Sequence, residues 1–225
     1  MPRFGRIMIA ATLPLAVGAQ ALVAQVAGIP VYYNPRGGAG ISVAANLGFQ
    51  SSDAGDAKAV AVGGGIGAGP AYFTATVGQI NPDSAGLDNE MTYGGTVSFK
   101  VFGGGLLPVS VAAQAGVGVV KFGNSTRTNV PVGVAVGLNL PLFPLKPWIA
   151  PRVAFQSATN VPTGVGTATK TETETRFGVT AGADFNLLLG LGLHAAVDFQ
   201  PKKGTNPSAT VVGVGAHFNF RVPMM

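Results

Sequence analysis

Residues 130–140 read VPVGVAVGLNL. Val130, Val132, Val134, Val136, Leu138 and Leu140 share one parity, and Gly133, Ala135, Gly137 and Asn139 the other. A period of two is the mark of an extended strand, whose successive side chains point to opposite faces. The uncharged runs 129–145 and 101–120 are each about long enough for a membrane helix. Pro131, Pro141 and Pro144 break the first, and Gly103, Gly104, Gly105 and Pro108 break the second, so both are read as strands.

The same alternation recurs along the chain. It predicts ten strands, at 40–50, 57–68, 71–80, 91–102, 108–121, 129–141, 147–157, 173–187, 191–200 and 209–221, with eight as the alternative count. All ten reach the length of about 9–11 residues that a tilted strand needs to cross a bilayer. The composition agrees. Of 225 residues only 10% are charged, 47% are hydrophobic and 34 are glycine, with mean hydropathy +0.40, leaving little charge to cover a soluble surface. There is no cysteine, which excludes a disulfide scaffold, a thiolate metal site and a cysteine nucleophile. The net charge of +5 is not gathered into a basic run, so no nucleic-acid partner is expected.

Connections, charges and aromatics each test the strand reading. Connections after odd strands are polar and longer, as in SSDAGD at 51–56, FGNSTRT at 122–128, the long 158–172 and PKKGTNPS at 201–208. Those after even strands are shorter, and apolar or glycine-rich, as at Gly69-Pro70. Up-and-down membrane barrels have this asymmetry, and an even strand count returns both chain ends to one side. The more apolar face is the odd one in strands one, four, five, seven, eight and nine, and the even one in strand ten. Lys100, Arg152, Arg176, Asp184 and Asp198 all lie on the opposite face, which would be the lumen; a cation facing lipid at mid-depth costs about 2–4 kcal/mol. Lys58 and Lys121 depart from this rule, but at strand ends, where a long side chain reaches the headgroups. Phe49, Tyr93, Phe155, Phe177 and Phe199 fall near the loop ends of the apolar face, and Phe73, Phe99, Phe185, Phe218 and Phe220 near the turn ends. Two aromatic girdles are what a barrel places at its two water interfaces.

The N-terminus reads as an address. Arg3 and Arg6 precede the apolar run Ile7–Val17, and Gly18, Ala19, Gln20 and Ala21 supply small residues for a cut after Ala21. Residues 1–21 are expected to be a cleaved secretory signal, 22–39 a periplasmic lead-in, and 40–225 the barrel.

In pattern, residues 40–221 resemble the small outer-membrane β-barrel proteins of Gram-negative bacteria. The last strand, VVGVGAHFNF at 211–220, is similar to the terminal strand that such proteins offer to the barrel-assembly machinery. The family usually ends on an aromatic residue, whereas here RVPMM follows Phe220. The resemblance implies an outer-membrane location, lipid around the barrel, and the assembly machinery as partner during biogenesis.

Few residues suggest chemistry. His194 and His217, the only histidines, share the lumen face and the turn-side half with Asp184, Lys100, Asn186 and Asn219. They are read as ion pairs and hydrogen bonds filling a narrow lumen rather than as a catalytic or metal centre. Ser42, Ser98 and Ser110 face the lumen without a nucleophile's spacing. GGGIGAG at 63–69 satisfies neither G-x-G-x-x-G nor a P-loop. The loop acids Asp53, Asp56, Asp83, Asp88, Glu90, Glu172 and Glu174 match no cation-loop spacing. No cofactor, metal or enzymatic activity is expected. The expected role is structural or interaction-forming, with a narrow diffusion channel for small solutes or ions as the alternative, lined or plugged by Lys100, Arg152, Arg176, Asp184, His194, Asp198 and His217; an envelope enzyme and a soluble secreted β-protein are the outside readings.

Overall fold

The computed structural model describes residues 26–31, 40–53, 55–83, 88–103, 107–139, 143–162, 169–204 and 206–220. The alternating segments form ten antiparallel strands: β1 (Gly40–Ser52), β2 (Ala57–Ala68), β3 (Ala71–Pro82), β4 (Glu90–Gly103), β5 (Val109–Phe122), β6 (Ser125–Leu138), β7 (Leu145–Pro162), β8 (Thr169–Asn186), β9 (Leu191–Gln200) and β10 (Ala209–Phe220). Each strand pairs with its neighbours in sequence. The ring closes by β1 against β10, in unbroken register from Ile41↔Phe220 to Ser52↔Ala209. The count is ten, not the alternative eight. One short 3₁₀ turn, Leu188–Gly190, joins β8 to β9.

Because side chains alternate across each strand, closure sorts them into an outer and an inner set. The outer set is a continuous belt of large apolar residues, including Val43, Leu47, Val62, Phe73, Phe99, Val134, Ile149, Phe177 and Val197. The inner set is small or polar, as with Ala59, Ala61, Ala112, Ala135, Ala150, Ala154, Asn129, Thr180 and Gln200. Nine of the ten expected girdle aromatics are exposed on the outer face; Phe218 is half-covered by an edge contact with Phe220 at 4.5 Å.

Most strand ends lie within about two residues of the sequence reading, and three larger differences stand out. The loop expected at 122–128 contracts to Gly123-Asn124, with Phe122 paired to Ser125. Gly123 takes a positive φ of 56°, which a two-residue hairpin turn needs. β6 therefore starts at Ser125 and carries Arg127 into the barrel, where its guanidinium lies 5.4 Å from the centre of the Phe122 ring. The expected connection 158–172 is mostly strand, since β7 and β8 pair out to Pro162↔Thr169. The extension was hidden because Thr169, Thr171, Thr173 and Thr175 alternate with charges rather than with apolar residues. Finally, the described part of the expected lead-in, residues 26–31, lies inside the ring. Val26, Ala27 and Ile29 pack with Ala57, Ala59, Ala61, Ile80, Val120 and Phe122, and Val31 with Ala135, Trp148, Ala150 and Ala196. About eight strands leave an interior that side chains alone fill. Ten leave more width, and this inner segment occupies it.

Candidate functional site

The lumen is built in three levels. At the loop end, Arg176 on β8 donates from Nη2 to the carbonyls of Pro201 and Pro207, 2.7 Å each, and so gathers the β9–β10 connection over the mouth. Asn206 in that connection donates to Glu174 at 2.5 Å.

At mid-barrel, Arg152 on β7 donates from Nη2 to Asp198 Oδ1 on β9 at 2.6 Å and from Nη1 to Thr180 Oγ1 on β8 at 2.8 Å. Thr180 donates to Asp198 Oδ2 at 3.0 Å. Neither charged side chain has any exposure. The strands make room for this pair with glycine: a Cβ on Gly178 would sit 3.0 Å from the Arg152 guanidinium carbon, and one on Gly133 2.8 Å from Arg152 Cβ. The inner segment is fastened at the same place, because the Val31 N–H donates to Asp198 Oδ2 at 3.4 Å. Its other end is fastened by the Ala27 N–H to Thr92 Oγ1 at 3.1 Å. Between them a turn closes with Ile29 N–H to the Val26 carbonyl at 3.0 Å. Gly28 in that turn has φ +75°, and a Cβ there would lie 2.8 Å from the Ala59 Cβ. A Cβ on Gly48 of β1 would run into the Gly28 carbonyl oxygen. Two glycines thus let two backbones touch inside the ring.

At the turn end, His194 on β9 and His217 on β10 face each other with their Nδ1 atoms 3.0 Å apart, and His194 Nε2 lies 2.6 Å from Asn46 Oδ1 on β1. Asp184 on β8 is directly across the ladder from His194. A cavity of about 130 Å³ opens beside them, lined also by Tyr72, Trp148 and Asn219 and by Val26, Ile29 and Pro30 of the inner segment. Ser42 is hydrogen-bonded to Tyr72 in the same region.

Of the residues expected to line the lumen, Arg152 and Asp198 form one group, and Asp184, His194 and His217 another. Arg176 stands at the mouth. Lys100 is on β4, across the ring from β9, and neither it nor Asn186 lines the histidine cavity. Sequence reasoning did not single out Asn46, Thr180, Arg127 or the inner segment. Parity places Asn46 and Thr180 inward, but only the register brings Asn46 to His194.

No family model matches the chain, and no curated protein matches it. Solved outer-membrane barrels do. The N-terminal β-barrel domain of Pseudomonas aeruginosa OprF matches with 15% identity and TM-score 0.42, over 79% of this chain and 97% of that one. Neisserial surface protein A matches with 13% identity and TM-score 0.40, over 80% and 96%. The translocator domain of the autotransporter NalP from Neisseria meningitidis matches with 14% identity and TM-score 0.47, over 81% and 89%.

Proposed function

We propose that this chain is an exported integral outer-membrane barrel with a filled lumen, serving a structural or interaction-forming role rather than passing solutes. The carrying observation is the fully buried Arg152–Asp198 pair at mid-barrel, with the backbone of Val31 seated on it. An aqueous channel would leave those charges wet. The outer belt supports membrane embedding, because contiguous apolar surface of this extent is not tolerated in water. The ten described strands form a closed ring with no open edge strand among them, which lipid requires of any sheet that spans it.

Two measurements test the reading. The chain beginning at Leu22, folded into planar bilayers, is expected to show no unitary conductance; steady single-channel steps would overturn the filled lumen. Val62, 58% exposed near the middle of β2, faces the belt. Val62→Arg is expected to destabilise the bilayer-embedded barrel by about 2–4 kcal/mol in urea unfolding. At an ordinary water-exposed site the change would stay within about 0.5 kcal/mol, and that result would remove the barrel from the membrane.

A further inference from the structure

We propose that Asp184, His194 and His217 bind one divalent first-row transition-metal ion of the zinc class. One ligand atom from each residue can be chosen so that all three lie within 4.8 Å of one another. Three side chains supplying two imidazole nitrogens and one carboxylate oxygen form a donor set that suits zinc and leaves a fourth position open.

The two imidazoles are already arranged for it. Their planes differ by 18° and their centroids are 5.3 Å apart, with the Nδ1 atoms 3.0 Å apart. That centroid separation is the nitrogen gap plus two ring radii, so the rings meet edge to edge rather than face to face. Both Nδ1 atoms therefore border the same gap. Two nitrogens on one tetrahedral zinc are about 3.3 Å apart, given bonds of about 2.0–2.1 Å. The gap needs to widen by a few tenths of an ångström and each ring to tilt by about 35°, so that both lone pairs turn from each other toward one ion seated off the line between them.

The surroundings select the ligating atom. His194 Nε2–H donates to Asn46 Oδ1, which leaves Nδ1 as the lone-pair nitrogen. A carbonyl or carboxylate holding the far nitrogen of a metal-binding histidine is the usual supporting partner. In the metal-free protein the His217 Nδ1–H fills the gap by donating to His194 Nδ1. On binding, His217 changes tautomer: the Nδ1 proton passes to solvent as Nε2 takes one up, the ring stays neutral, and the freed Nδ1 lone pair takes the metal; no electron is transferred.

Space is reserved as well. A Cβ on Gly192 would collide with the His217 ring, and one on Gly215 with His194 Nε2. Glycine at both ladder positions lets the imidazoles lie flat against the wall. The cavity beside them is large enough to supply a water as fourth ligand.

The chain carries its own reporter, because its only tryptophan, Trp148, lines that cavity. The full chain from Leu22, folded in detergent and stripped with chelator, is titrated with Co²⁺ while tryptophan emission is read. The expected result is saturable quenching at one ion per barrel, reversed by competing Zn²⁺. His217→Gln is expected to abolish saturation, and Asn46→Ala to weaken it by about 10–100-fold. Heat-dependent SDS mobility verifies that each variant is folded. No saturable quenching in the unmodified barrel overturns the proposal without any variant. Equal affinity in a folded His217→Gln barrel overturns it too.

Discussion

Replacing Asp198 by alanine is expected to destabilise the folded barrel by about 3–5 kcal/mol, the usual cost of removing one partner of a buried ion pair. The Arg152 guanidinium would remain enclosed at mid-barrel without the carboxylate 2.6 Å away. Thr180 would lose its acceptor, and the Val31 N–H would lose the oxygen it donates to. The loss is a cost of isolation rather than a measure of how much the pair stabilises. Hence Arg152→Met combined with Asp198→Leu is expected to recover most of it, since a buried pair exchanged for apolar residues of similar volume is often neutral. Urea unfolding of the detergent-folded barrel decides both points. A single-variant loss below about 1 kcal/mol would mean that water reaches the pair and that the lumen is not filled there.

The second large effect is expected at Gly48. Gly48→Val directs a branched side chain into the Gly28 carbonyl, and overpacking of this kind costs about 1–3 kcal/mol when the surroundings hold. The surroundings have a cheaper response, because the inner segment is tied to the wall by two hydrogen bonds from its backbone N–H groups to side chains and by apolar contacts, whereas the strands are tied by continuous ladders. The segment is expected to leave and the ring to stay. Limited proteolysis reads this directly: residues 26–31 should resist cleavage in the unmodified barrel and be cut in Gly48→Val, with heat-dependent SDS mobility retained by both. Gly64→Val is the control, since a Cβ there meets only the Ser42 carbonyl at 3.6 Å on the outer face. Continued protection in Gly48→Val would show that the contact at Gly48 does not hold the segment.

Strand parity made much of the fold legible. In 130–140 every second residue is Val or Leu, and a closed sheet of such strands has one way to keep Arg152, Arg176 and Asp198 out of lipid. Strand ends were legible only where the alternation was apolar. Thr169–Thr175 is polar on both parities, so nothing in it distinguishes a protruding hairpin from a loop. The candidate metal site was half visible: both histidines and Asp184 fall on the inner face by counting. Their meeting depends on the stagger of β8, β9 and β10, and the approach of Asn46 on the closure of β1 onto β10, none of which periodicity encodes. The inner segment was invisible for a different reason. Its residues, Val26 to Val31, are too few to show a period, and they are held by Thr92 and Asp198, far away in sequence.

The pairing of β1 with β10 has a bearing on how the molecule comes into being. Ile41 and Phe220 are partners, so the ring is one loop spanning nearly the whole of the sheet. Until the tenth strand is available, any partial sheet ends in two rows of unsatisfied amide and carbonyl groups, which recruit other chains. Bringing such distant partners together is also slow, since the closure entropy is lost before the contact forms. A chain shortened by its last strand is therefore expected to be an aggregating open sheet rather than a nine-stranded barrel, and the ring cannot close before the residues of β10 are available.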